Sequence, residues 1–298
     1  MWKRLEPDHT SIETRCLVRL KTDTTYENAQ GRSSVAHNIF TLTGKVIAVV
    51  GAGSGIGEAI ALGAADQGAA FVACLDVNEA GAAAVAARIE AQGGKAGATA
   101  IDIADADGTR ACLDTLAAAH GSLDGLVCTP SINVRKPILA YSGDEFDRVV
   151  RVNLRGNFNV LQAAGRIMTT QKRGSIVLYS SIRSIVTEPG QSVYSMTKAG
   201  ILQLAKTAAT EWAMLGVRVN AVGPGVVETP LTAPIKSNTE WYDAYAKKSP
   251  MQRWAQPGEM VGPTLFLLSD AASYVTGTII YADGGWLAAD GRFTPPGM

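Results

Sequence analysis

The chain has 298 residues, 47% hydrophobic and 18% charged, with Lys+Arg and Asp+Glu balanced at 27 each. A formal net charge of zero removes the electrostatic case for nucleic acid or an anionic membrane surface. No apolar run approaches the ~18 residues that span a bilayer, so the expectation is a soluble, cytoplasmic protein long enough to bury one sizeable core.

Residues 1–41 are polar, mixed in charge and without sustained periodicity. They lack the apolar stretch of a secretory signal, and Glu6, Asp8, Glu13, Asp23 and Glu27 are out of place in a transit peptide. They read as an appendage to the body of the chain. From residue 42, short apolar runs alternate with Ala-rich segments. KVIAVV (45–50) predicts a strand, residues 55–68 a helix ended by Gly68, and FVACLD (71–76) a second strand. Residues 78–94 predict a helix stopped by two glycines, ATAIDI (98–103) a strand, 106–121 a helix and LDGLVC (123–128) a strand. Strands that are apolar throughout are buried on both faces, as in a parallel sheet. The predicted fold class is α/β, a Rossmann-type doubly wound parallel sheet with helices on both faces. A single domain spans 42–288, and 289–298 form a tail.

Cys16, Cys74, Cys112 and Cys128 include no CxxC pair, and His9, His37 and His120 are scattered, so neither a metal site nor a disulfide framework is suggested. The chemistry starts instead at VVGAGSGIGEAI (49–60), where Gly51, Gly53, Gly55 and Gly57 lie between a predicted strand and a predicted helix. Glycine is the costliest residue to order. The cluster is either a tight turn or bare backbone kept for the pyrophosphate of a dinucleotide at a helix amino terminus. The strand–loop–helix setting favours the dinucleotide, with Ser54 and Ile56 as further contacts. Asp76, closing the second strand, is placed to accept hydrogen bonds from the adenosine ribose and to repel a 2′-phosphate. Ser54 is neutral where a basic residue could meet that phosphate, so NAD is expected over NADP. Asp102, with Ile103, ends the third predicted strand and either holds the adenine edge or is a solvated strand end.

Tyr194 and Lys198 are four residues apart on a helical pattern and share a face. A neighbouring cation favours the phenolate and makes the tyrosine a usable acid or base. Alone, this spacing says little. Together with the glycine loop, however, the chain resembles the short-chain dehydrogenase/reductase family over about residues 42–288, specifically its single-domain members of roughly 250 residues. The family's TGxxxGxG loop matches Gly51, Gly55 and Gly57. Its serine thirteen residues before the tyrosine matches Ser181, its asparagine matches Asn153, and its PG after a strand matches Pro224 and Gly225. Val50 stands where the family has threonine, and Cys128-Thr129-Pro130-Ser131 replace its NNAG.

The resemblance implies that Tyr194 exchanges a proton with the substrate oxygen and that Ser181 orients that oxygen. Lys198 would bind the nicotinamide ribose and, with the charge of the oxidised ring, lower the Tyr194 pKa, and Asn153 would hold a water. Thr229 and the Val227 backbone would grip the carboxamide. It also implies a homotetramer. The aromatic, proline-punctuated stretch 226–257 suggests a lid. Its Trp241, Tyr242, Tyr245 and Trp254 either wall a pocket or pack the lid onto the body. Arg135, Arg183, Glu188 and Gln191 lie in segments near the expected pocket and lean the substrate towards a polyol, sugar or sugar acid. A 3-oxoacyl-thioester reductase is the alternative within the family, and a noncatalytic NAD-sensing regulator the alternative outside enzymes. No GxSxG elbow supports a serine hydrolase.

Overall fold

The computed structural model describes residues 38–289. The tail from residue 290 and all but the last four residues of the predicted extension lie outside the described residues. Contacts of the sheet domain begin slightly before residue 42: the Ile39 carbonyl accepts from the Ala271 N–H at 2.9 Å, and Leu42 is fully buried.

The elements alternate as predicted through the first half. In chain order they are β1 (Val46–Val50), α1 (Gly55–Asp66), β2 (Phe71–Asp76), α2 (Glu79–Ala91), β3 (Ala96–Ala100), α3 (Ala106–His120) and β4 (Gly125–Cys128). Then follow α4 (Gly143–Val150), α5 (Asn157–Gln171), β5 (Gly174–Tyr179), α6 (Ser192–Trp212), β6 (Val217–Pro224), α7 (Ala233–Lys236), α8 (Thr239–Lys248), α9 (Val261–Leu268) and β7 (Ile279–Ala282). All strand pairs are parallel, in the order β3-β2-β1-β4-β5-β6-β7.

One correction concerns β3. It ends at Ala100, so Asp102 lies in the turn beyond it, where its carboxylate accepts from the Ala104 N–H at 2.9 Å. The polar pull of this turn outweighs the apolar character of Ile101 and Ile103.

Alternation along each strand sorts side chains onto two cores. Ala48, Val50, Leu126, Cys128, Ile176 and Leu178 face one way, against buried residues of α3, α5 and α6 such as Leu113, Leu161 and Ile201. Ile47, Val49, Val127, Val177 and Tyr179 face the other, against Ile60, Val85 and Leu265 of α1, α2 and α9. Burying each such aliphatic side chain stabilises by about 1.5–3 kcal/mol. The two cores hold the carboxyl ends of β1 and β4 rigidly side by side. There the strand order reverses direction, and a crevice opens beyond the strand ends.

Candidate active site

The glycine loop fills that crevice. Gly51 has φ +86° and Gly55 φ +58°, a region that favours glycine. A Cβ on Gly57 would come within 2.0 Å of the Gly51 carbonyl oxygen, and one on Gly51 within 2.3 Å of the Thr129 hydroxyl. Ser54, the N-cap of α1, makes no side-chain cap bond, whereas Asn78 and Asp105 cap α2 and α3. The first-turn N–H groups of α1 are therefore left for a ligand anion. A cleft of about 480 Å³ runs past Gly51, Ser54, Gly55, Ile56, Gly57, Asp76, Asp102, Ile103 and Thr229. Bare backbone, an uncapped helix and a carboxylate in the same cleft fit a dinucleotide, and these residues would hold it.

Gly53 turns away from the cleft wall. Its N–H donates to Asp76 Oδ2 at 2.8 Å, while Asp76 Oδ1 accepts from the Asn78 N–H at 2.8 Å. Two backbone donors thus set the orientation of the Asp76 carboxylate. Pro224 pairs with Ala282 across β6 and β7, Gly225 reaches a neighbouring cavity, and Val227 bridges Ala255.

The segment that departs from the family's NNAG has its own bracing. Thr129 donates through its hydroxyl to the Val50 carbonyl at 3.0 Å, and its N–H reaches the same oxygen at 3.0 Å. Thr129 and Pro130 close the glycine loop from behind. Sequence alone left these contacts open because the hydroxyl's partner is a backbone oxygen 79 residues away.

The four residues matched to the family come from three elements. Asn153 lies in a π-helical stretch, Arg151–Gly156, between α4 and α5, a local widening that is frequent at functional sites. Its Oδ1 accepts from the Ile132 N–H at 2.9 Å, and its Nδ2 donates to the Ile132 carbonyl at 2.9 Å and the Thr197 hydroxyl at 3.1 Å. The amide is a brace between the loop after β4 and α6, with both ends engaged by protein. The Asn153 carbonyl accepts from the Asn157 amide at 2.9 Å.

Ser181 caps a short 3₁₀ turn, Ile182–Ser184, accepting from the Arg183 N–H at 3.1 Å. Tyr194 and Lys198 share one face of α6. Lys198, only 2% exposed, donates from Nζ to the Tyr179 carbonyl at 2.9 Å and lies 5.5 Å from the Tyr194 ring centroid. Burial lowers the Lys198 pKa to about 8, partly opposed by the Cys128 thiol, whose own pKa burial pushes up to about 12.

The protein's own groups act on the Tyr194 pKa in both directions. Burial raises it, and the opposing influences are the Ser181 hydroxyl, the Arg135 and Arg183 guanidiniums and the Ser131 hydroxyl. Lys198 points at a backbone carbonyl, and its charge is itself disfavoured by burial. The groups that favour the phenolate come from loops that the sequence pattern does not connect to the helix.

Beside Tyr194 a small cavity of about 60 Å³ is lined by Asn133, Arg135, Ser181, Arg183 and Gln191, with Val226, Leu231 and Ile235 from the stretch after β6. Three of the four predicted substrate residues are thus brought to one place. Glu188 does not line the cavity. Its carboxylate sits behind, accepting from Arg183, Gln191, the Tyr245 hydroxyl and, at 3.3 Å, Arg135. Arg183, 5% exposed, also lies over the Trp286 ring at 5.6 Å. Two guanidiniums against one carboxylate leave this corner with an excess positive charge.

The aromatic residues of 226–257 pack rather than line the cavity, Tyr245 excepted. Tyr242 stacks on Trp254 at 4.8 Å, and Tyr245, Trp254, Ile235, Ile182 and Trp286 form a small separate core. Asn133, which sequence reasoning missed, donates to Gln191 Oε1 at 3.2 Å while its own Oδ1 is buried without a partner. Its signal was only its place five residues after β4.

Hydride exchange at an alcohol carbon asks the protein for a bound nucleotide, oriented against the substrate, and a group to exchange the hydroxyl proton. The cleft and the phenol beside it meet both needs, and the class is that of nucleotide-dependent oxidoreductases acting on CH–OH groups. A family model described as enoyl-(acyl carrier protein) reductase matches residues 51–287. The 3-oxoacyl-[acyl-carrier-protein] reductase FabG of Thermotoga maritima is 36% identical over 246 residues, 82% of this chain and 98% of the relative. The 2-dehydro-3-deoxy-D-gluconate 5-dehydrogenase of Pseudoalteromonas atlantica is 34% identical over 251 residues, 83% of this chain and 98% of the relative. A crystal structure of gluconate 5-dehydrogenase from Burkholderia cenocepacia, in complex with NADP and tartrate, superimposes with a TM-score of 0.81 at 35% identity, covering 84% of this chain and 98% of that one. The chain belongs to the short-chain dehydrogenase/reductase family. Among the described residues no helix is long and apolar enough to cross a membrane.

Proposed function

We propose that the protein interconverts a secondary alcohol and a ketone on a sugar acid, with NAD(H) as its preferred cofactor. The observation that carries the substrate class is the Arg135–Arg183 pair at the cavity that also holds Ser181 and Tyr194, with Glu188 balancing only one of the two charges. A carboxylate is the ligand that a pair of guanidiniums accepts best. The P. atlantica relative acts by name on a sugar acid, and the B. cenocepacia structure holds tartrate, a hydroxy acid.

A bound dinucleotide supplies the hydride chemistry at its nicotinamide ring. Tyr194 exchanges the proton with the substrate oxygen, and Ser181 hydrogen-bonds and orients that oxygen. Lys198 meets the nicotinamide ribose, and Asn153 keeps the loop after β4 in register with α6. Thr229 and the Val227 backbone face the carboxamide. The segment between Val227 and Ala255 works as a lid over the cleft, its two ends closed by a single parallel bridge.

NAD is preferred because the Asp76 carboxylate, set by two backbone N–H groups, repels a 2′-phosphate. The NADP in the B. cenocepacia structure makes this the point to measure first. The assembly is a cytoplasmic homotetramer, in keeping with exposed Phe158 and Met196 on α5 and α6; a monomer in sedimentation would contradict it. A 3-oxoacyl-thioester reductase is the second reading, favoured by the T. maritima relative.

The test is NAD(P)H formation with purified protein over sugar acids, neutral polyols and 3-hydroxyacyl thioesters, with Tyr194→Phe as control. Turnover of a sugar acid, lost in Tyr194→Phe, supports the reading. Turnover confined to acyl thioesters replaces it with the second.

A further inference from the structure

Helix α8 carries Trp241 and Tyr245 four residues apart, on one face, with their rings edge to face at 6.0 Å. Proton exchange at Tyr194 uses neither of them, yet both reach the arginines of the substrate corner. The Arg135 guanidinium lies over the Trp241 ring, 5.3 Å from its centroid. The Tyr245 hydroxyl donates to Glu188, the carboxylate that Arg135 and Arg183 share.

The donors on Glu188 are unevenly divided. Oε2 accepts from the buried Arg183. Oε1 accepts from the Gln191 amide and the Tyr245 hydroxyl, and Arg135 is left with a long bond to the same oxygen, 3.3 Å. A carboxylate oxygen offers about two lone pairs, so two close donors leave little for a third. The contact of Arg135 with Trp241 is made through the ring face and takes up none of its N–H donors. Burial and then the Glu188 carboxylate raise the Tyr245 pKa, so at neutral pH the phenol keeps its proton and donates it to the bond. Its ring is seated independently of that bond, 5.7 Å from Trp254 and 5.7 Å, edge to face, from Trp286. Hydroxyl and ring therefore have separate tasks, and the hydroxyl can be removed while the ring stays in place.

We propose that Tyr245 is a positioning residue for substrate recognition: its hydroxyl fills Glu188 Oε1, keeps the Arg135 guanidinium from closing on that carboxylate, and so holds Arg135 ready for the carboxylate of a sugar acid in the cavity that both residues line. Without the hydroxyl, Oε1 regains a free lone pair and Arg135, already 3.3 Å away, closes onto it. Selectivity for acids is then set in part from α8, by a group that acts on the substrate only through Glu188 and Arg135. The inference rests on the substrate class proposed above.

The first experiment needs no substrate. Arg135 is partly exposed, and its modification by phenylglyoxal, a guanidinium-selective reagent, is followed by mass spectrometry of the peptide that contains it. In Tyr245→Phe the rate at Arg135 is expected to fall about threefold to tenfold, the scale of one hydrogen bond. An equal or faster rate overturns the proposal.

The second is a cycle of wild type, Tyr245→Phe, Arg135→Ala and the double variant in D-gluconate oxidation. Tyr245→Phe should raise KM for D-gluconate about threefold to tenfold with kcat unchanged, and should add nothing in the Arg135→Ala background. A tyrosine that serves packing alone predicts the same loss in both backgrounds, and that result also overturns the proposal. If the wild type neither binds nor turns over D-gluconate, or if Arg135→Ala leaves its KM unmoved, the sugar-acid reading is what fails. The labelling rates then decide on Tyr245 by themselves.

Discussion

The ammonium of Lys198 donates to the backbone carbonyl of Tyr179 at 2.9 Å, tying the helix that carries Tyr194 to the end of β5. The tie is made by a buried cation whose pKa is about 8 against an ordinary 10.5. A depressed lysine pKa means that the folded state disfavours the charge. The associated stability is present above 10.5 and is lost as pH falls towards 8. Lys198→Met should therefore abolish turnover yet raise the melting temperature at neutral pH. The gain should shrink as pH approaches 10.5. Thermal unfolding of both proteins at several pH values checks this, and a variant less stable at neutral pH would contradict it.

The proposed preference for NAD rests on Asp76. Asp76→Ser should raise the ratio of NADP to NAD catalytic efficiency about tenfold or more, by removing a charge from the 2′-phosphate position. The ratio of kcat/KM values with the two cofactors reads this directly. An unchanged ratio would remove Asp76 from that role.

Under the proposed function, Arg135 and Arg183 separate acidic from neutral substrates. Arg135→Ala should raise KM for a sugar acid about tenfold to hundredfold, the ~1.5–3 kcal/mol of a hydrogen bond to a charged group. KM for a neutral polyol such as D-sorbitol should hardly move. Arg135 is the better site to change than Arg183, because removing the buried Arg183 would strip Glu188 of its most enclosed partner. Equal losses on acid and polyol would show that the arginine serves packing alone.

Thr129 braces the glycine loop from β4. Thr129→Val keeps the shape, loses the hydroxyl bond to Val50 and should weaken dinucleotide binding about threefold to tenfold with kcat unchanged. Gly57→Ala should abolish binding, since its Cβ would lie 2.0 Å from the Gly51 carbonyl oxygen. Isothermal titration with NAD and with NADP tests both variants.

Much of the frame was legible because it is local. Apolar runs marked β1, β2 and β4, and Gly68 marked a helix end at φ +82°. The Tyr194–Lys198 face and the glycine loop are likewise short-range patterns. What stayed hidden is long-range. Sequence spacing cannot show that Glu188 pairs with both arginines rather than lining their cavity, or that Thr129 meets a strand end 79 residues earlier. Nor can it show that Lys198 donates to the Tyr179 carbonyl. Asp102 was misplaced at a strand end because Ile101 and Ile103 mimic strand residues in a turn.

The parallel pairing of β1 with β4 also constrains how the chain matures. Gly51 emerges early in synthesis, but the Thr129 hydroxyl that closes behind it lies 78 residues later in the chain, and Thr229 later still. The nucleotide cradle is incomplete until most of the polypeptide has been made. Strand pairings so distant in sequence form slowly, because loop closure precedes any reward from contact. Cellular dinucleotide therefore cannot template the first βαβ unit through the finished cradle, and stabilises the fold only after the central strands have met.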